Sequence, residues 1–135
     1  MSVRRYLQGF LLLGLAFSLT SCNSPELVSI AITPSTQYFT FSTGLSVQFR
    51  AIGTYDQGSH PVTTQDITDE VTWKSNSPGI ATVTSTGLVA PAAIDYGTAI
   101  VSATMNGFTG TIVGNATVNV CAPGQILSGG ACANP

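Results

Sequence analysis

Few side chains in this 135-residue sequence can do chemistry, and the first question is whether any of them is arranged to. His60 is the only histidine. A Ser-His-Asp hydrolase would need it held by an acid and close to a nucleophile. Asp56 lies four residues earlier, but Asp56-Gln57-Gly58-Ser59-His60-Pro61 reads as a turn, and no nucleophile elbow accompanies it. His60 is therefore expected to be a solvated loop residue, and no enzymatic activity is expected. Asp66, Asp69 and Glu70 form the one acidic cluster. Calcium wants roughly six to eight oxygens, so these carboxylates are read as solvating a turn, and no metal or other cofactor is expected. Trp73 invites a sugar-stacking role, yet it sits within Val71-Thr72-Trp73-Lys74, a strand pattern, and is read as the first core anchor.

Three cysteines remain, Cys22, Cys121 and Cys132. Cys22 closes the run Leu19-Thr20-Ser21-Cys22, after a segment that opens with Arg4-Arg5 and continues as a short apolar block. A basic start, an apolar stretch of roughly 10 residues and small residues before a cut site make a secretory signal, whereas a membrane span needs about 20. The run resembles the bacterial lipobox. That resemblance implies a lipoprotein signal peptide over residues 1–21 and lipidation at Cys22, with a diacylglycerol thioether and an acyl chain such as palmitate on the new amine. Two or more chains anchor stably where one holds only marginally. The implied address is the bacterial cell envelope, periplasmic or surface-exposed, with the membrane as a partner through the lipid. Asn23, where an aspartate would favour inner-membrane retention, tilts the expectation to the outer membrane of a Gram-negative host.

With Cys22 acylated, Cys121 and Cys132 are left, and an exported chain is where two such thiols pair. A disulfide is expected. The intervening Ala122 to Ala131 holds no His, Asp or Glu, which disfavours zinc with its four ligands, and no Cys-x-x-Cys redox spacing is present. Pro123-Gly124 and Gly129-Gly130 read as a turn-built hairpin loop.

Composition sets further bounds. Removal of residues 1–21 leaves 114 residues, the size of one domain, with Arg50 and Lys74 against six acidic residues, a formal charge of −4. Two isolated cations cannot form a phosphate-binding footprint, so nucleic acid is excluded as a partner. Abundant Val, Ile, Thr and aromatics argue for an ordered β protein whose polar surface comes from Thr and Ser.

Along the chain the dominant period is two. Val28, Ile30 and Ile32 alternate with polar or small residues until Pro34 stops the ladder, and Leu45, Val47, Phe49 and Ala51 follow Gly44 in the same way, with Arg50 facing water. Later come the Trp73 strand, Ile80 to Thr84, Leu88-Val89 after Thr86-Gly87, and Ala99 to Thr104. Asn106-Gly107 suits a two-residue hairpin leading into Thr109 to Val120, where Ala116, Val118 and Val120 face one way. Nothing reads as a helix. Seven or so short strands predict two packed antiparallel sheets in a β-sandwich with a short disulfide-closed C-terminal tail.

The order Gly44-Leu45-Ser46-Val47-Gln48-Phe49-Arg50-Ala51, Gly53-Thr54-Tyr55 and Ile67-Thr68-Asp69-Glu70-Val71-Thr72-Trp73-Lys74-Ser75-Asn76 resembles the bacterial Ig-like domain, group 2. So does the second half, with Ile80-Ala81-Thr82-Val83, Thr86-Gly87-Leu88-Val89-Ala90 and Gly97-Thr98-Ala99-Ile100-Val101-Ser102-Ala103. The resemblance divides the chain into a tether at 22–26, an Ig-like domain at 27–120 and a Cys-closed tail at 121–135. It implies a non-enzymatic surface module for adhesion, envelope architecture or accessory protein contact, with a protein or glycan partner. The alternative is a lipid-tethered glycan or other ligand-binding protein, using Tyr38, Phe39, Phe41, Tyr55, Tyr96 and Phe108. The Asp56 to Pro61 loop, the Ala92 to Tyr96 insertion and the tail are the candidate contact surfaces, and the last two depart from the family pattern.

Overall fold

In the computed structural model, residues 24–41 and 44–135 are described. The expected signal peptide at residues 1–21 and lipidation at Cys22 lie outside the described residues.

The frame is a hairpin of two eleven-residue strands, Gly97–Gly107 (β9) and Gly110–Val120 (β10). Alternation puts Ala99, Val101 and Ala103 on the inner face opposite Val118, Ala116 and Gly114. Thr72–Ser75 (β6) joins one side of the hairpin and Thr36–Phe39 (β2) the other, so this sheet runs β2-β10-β9-β6. The facing layer has two parts. Glu26–Thr33 (β1) pairs with Arg50–Asp56 (β4), and β4 with Thr63–Asp66 (β5). Val47–Gln48 (β3) pairs with Leu88–Pro91 (β8), and β8 with Ala81–Val83 (β7). Ile126–Ser128 (β11) and Ala131–Ala133 (β12) make a separate small hairpin in the tail. The chain is an all-β sandwich, with no helix among the described residues.

Apolar residues from both layers close the core: Leu27, Ile30, Ile32, Ala51 and Ile67 meet Trp73, Val101, Ala116 and Val118, with Phe49 and Val89 fully buried. Trp73 is 9% exposed, and its indole N–H donates to the Thr68 carbonyl at 2.9 Å, so the one polar atom of the ring is satisfied. The layers approach closely where β1 passes over β10. A Cβ at Gly114 would stand 2.6 Å from the Ile30 carbonyl oxygen, so only glycine fits there.

Five expectations need correction. Val28 is 45% exposed, and the inner face of β1 is Leu27, Ile30 and Ile32. A bulge between Leu27 and Ser29 inserts one residue against β4 and flips the alternation. Leu45 is 64% exposed, because it precedes the first ladder, which begins only at Val47, and the single strand expected here is two strands in two ladders. The change occurs at Phe49, whose N–H donates to the Gly87 carbonyl at 2.8 Å, before Arg50 begins pairing with Thr33. The hairpin turn is Phe108-Thr109, two residues beyond Asn106-Gly107, since Gly107 pairs with Gly110. Burial decides this: the observed register sets Ala99 on Val118 and Val101 on Ala116, whereas a turn at 106–107 would leave Val118 and Val120 without partners on β9. Among the described residues twelve strands replace the seven or so expected, because β2 and β5 carry little apolar pattern and the tail adds two more. Finally, the sandwich is not wholly antiparallel. After Thr33-Pro34 the chain crosses to the other sheet without reversing, so β2 runs parallel to β10.

Candidate functional site

The long hairpin gives the molecule two poles. Eleven residues of β10 at about 3.3 Å each separate them by roughly 35 Å.

At the C-terminal pole the insertion and the tail converge. Cys121 and Cys132 form the expected disulfide, with Cα atoms 5.3 Å apart. Cys121 is buried at the end of β10, and its N–H donates to the Phe39 carbonyl at 2.8 Å, which ties the tail to the sheet. Inside the loop the Ala122 N–H donates to Gln125 Oε1 at 3.0 Å, and Gly129 and Gly130, both at positive φ, turn β11 into β12. The insertion is pinned as well: the Ala92 N–H donates to the Ile80 carbonyl and the Asp95 N–H to the Gly79 carbonyl. Its last residue, Tyr96, is 53% exposed and stacks edge-to-face on Phe41 with ring centres 6.4 Å apart.

Between these segments lies an open cleft of about 420 Å³. Tyr38, Tyr96, Thr98, Asn119, Gln125 and Cys132 are among its lining residues, and none of the lining side chains carries a charge. The Thr98 hydroxyl donates to Asn119 Oδ1 at 2.8 Å across β9 and β10. Two phenol rings, a hydroxyl and two carboxamides make a neutral surface able to stack and hydrogen-bond. Tyr38 and Tyr96 are among the aromatics the sequence offers, but nothing in it singles out Asn119 and Gln125, and β2 carries no signal that would bring Tyr38 beside the tail.

The N-terminal pole is built differently. Ser24 to Leu27, Tyr55 and Met105 to Phe108 line a groove of about 460 Å³, with Phe108 at the hairpin tip 93% exposed. The Asp56 to Pro61 loop belongs to this end, because Asp56 pairs with Glu26. Asp56 accepts the Gly58 N–H at 2.8 Å and His60 is exposed in the loop, so the two are not joined as a catalytic pair.

Between the poles, Gln48, Arg50, Asp66, Thr68, Asp69, Glu70 and Thr86 line a shallow polar groove. Asp66 Oδ1 accepts both the hydroxyl and the N–H of Thr68, and Arg50 stands 3.6 Å from Oδ2. The Thr68 hydroxyl, then the Thr68 N–H and, more weakly, Arg50 hold the Asp66 carboxyl below the usual aspartate range, against a small opposing effect of desolvation. The arrangement is an Asx-type turn that starts the Trp73 strand. Among the described residues no three His, Cys, Asp or Glu side chains gather as a metal site. The aromatics divide: Phe39 is core, Tyr38 and Tyr96 line the C-terminal cleft, and Tyr55 and Phe108 line the N-terminal groove.

No family model matches the chain. Over 62 residues it is 44% identical to Ice-binding protein 1 of Shewanella frigidimarina, a stretch that makes up 46% of this chain and 6% of that protein. The chain thus spans a small fraction of the curated relative it matches, and the similarity is one of a segment within a far larger protein.

Proposed function

We propose that this chain is a lipid-anchored, non-enzymatic Ig-like module of the bacterial cell envelope, serving adhesion, envelope architecture or accessory protein contact, and that it engages its partner at the C-terminal pole. One observation carries this reading: the insertion and the tail, the two segments that depart from the resemblance, meet in a single cleft at the end opposite Ser24. A protein built to present a surface away from an anchor puts its variable loops there. The test is partner capture from envelope extracts by the full lipidated chain, comparing Tyr96→Ala and Gln125→Ala with a scrambled Asp56 to Pro61 loop. Capture is expected to fall at least tenfold in the first two and to persist in the third. Capture that survives both cleft variants would refute the assignment.

The neutral, tyrosine-flanked cleft also supports the ligand-binding alternative, with a glycan as the occupant. Quenching of tyrosine emission by a soluble neutral oligosaccharide, abolished by Tyr96→Ala, distinguishes it from protein capture. Ice binding, which the relative's name attributes to that protein, is a weaker fit. The outward residues of β9 run Thr98, Ile100, Ser102, Thr104, opposite Asn119, Thr117, Asn115 and Val113, without the repeating hydroxyl array that a crystalline surface would match. Thermal hysteresis of the purified chain is expected to be absent.

A further inference from the structure

We propose that the tip of the β9–β10 hairpin seats in the headgroup–acyl boundary of the bilayer, with Phe108 as the inserted side chain, so that the module stands on its membrane at two points. This rests on the lipid anchor at Cys22. The argument begins with reach. Cys22 is two residues before Ser24, and two residues span at most about 7 Å, so the Cys22 backbone lies within that distance of Ser24, with the thioether-linked glycerol between it and the acyl chains. Ser24 and Pro25 line the same groove as Phe108. So short a tether keeps the groove close to the membrane surface.

The surface presented there suits the boundary region. Phe108 is the most exposed large apolar residue described, at 93%, on a two-residue turn between Gly107 and Gly110. Pro25, Leu27, Tyr55 and Met105 back it in the groove. Phe, like Trp and Leu, belongs to the apolar faces that lie roughly 5–10 Å into the headgroup–acyl boundary. No Lys or Arg lines the groove, and Glu26 with Asp56 makes this end acidic, so anionic headgroups repel it weakly and the contact must be apolar. One ring alone binds a membrane weakly. Beside a lipid on the same chain its insertion is intramolecular, and the high effective concentration makes a weak contact sufficient.

The full chain, extracted from membranes, is reconstituted into phosphatidylethanolamine–phosphatidylglycerol vesicles with brominated acyl chains, and its Cys22 modification is read by intact mass. Phe108→Trp supplies an indole reporter, and wild-type emission subtracts the buried Trp73. At least twofold quenching of the introduced indole with a blue shift is expected. A lipidated protein whose introduced indole stays unquenched and emits as in water overturns the membrane seat while leaving the anchor standing. A mass without acyl groups overturns the anchor, and the seat with it. Shielding that occurs without vesicles and grows with protein concentration assigns the tip to a second copy and also overturns the proposal. Phe108→Ser is expected to leave the melting temperature unchanged, because the ring has almost no protein contacts to lose, and to shorten residence on vesicles severalfold.

Discussion

The two poles of this sandwich solve opposite problems with the same two strands. At the C-terminal pole the insertion and the tail are fastened, by a disulfide, by carbonyl contacts to Gly79 and Ile80 and by the edge-to-face pair of Phe41 and Tyr96. At the N-terminal pole the hairpin tip projects a nearly bare phenylalanine. Fastening keeps polar and aromatic groups in fixed relation, which a selective contact needs, because ordering them at binding would cost affinity. A projecting apolar ring needs no such precision to enter a fluid, unstructured medium.

Trp73 joins the two ends, and Trp73→Ala is expected to cost about 3–5 kcal/mol of stability, measured by denaturant unfolding with the signals of both poles lost together. If one pole persisted after the other unfolded, the shared core would not be what couples them. The next effect is local. Replacing Cys121 and Cys132 by Ser is expected to loosen the tail, with a loss of about 3 kcal/mol by the chain-entropy account, so that amide exchange quickens at residues 126–133 but not at 107–110. Equal quickening at both ends would remove the contrast between them. Gly114→Ala puts a methyl group against the Ile30 carbonyl oxygen and is expected to cost about 1–3 kcal/mol in thermal unfolding, by prising β1 from β10 midway between the poles. The smallest effect belongs to Asp66→Asn. Because the folded carboxyl titrates below its unfolded value, its stabilisation is present above the unfolded value and disappears as pH falls through the folded one. Melting temperatures of variant and wild type are expected to differ slightly at neutral pH and to converge in acid, with both poles shifting alike.

Sequence pattern served well where burial dictates it. Trp73, the alternation of β9 and β10, the outward Arg50 and the Cys121–Cys132 pair all stand where composition and period put them. It failed where the backbone pairs without apolar help. β5 is Thr-Thr-Gln-Asp, exposed throughout, and is a strand only because Tyr55 to Ile52 offer it a ladder. The Leu27–Ser29 bulge is invisible to any period-two reading, and it alone reverses Val28. The cleft was hidden for a related reason. Its two flanking tyrosines come from β2, a short edge strand, and from an insertion, and only the crossing at Pro34 brings them to one end.

The parallel pairing of β2 with β10 has a mechanical consequence. The chain runs from one pole through β1 to the other at Cys121, so a pull applied between the two ends runs along the strands. Ladder hydrogen bonds lie across that direction, and those between β2 and β10 are therefore loaded side by side in shear instead of being unzipped singly. Force is then shared over Thr36 to Phe39 at once, and the disulfide keeps the tail from paying out under tension.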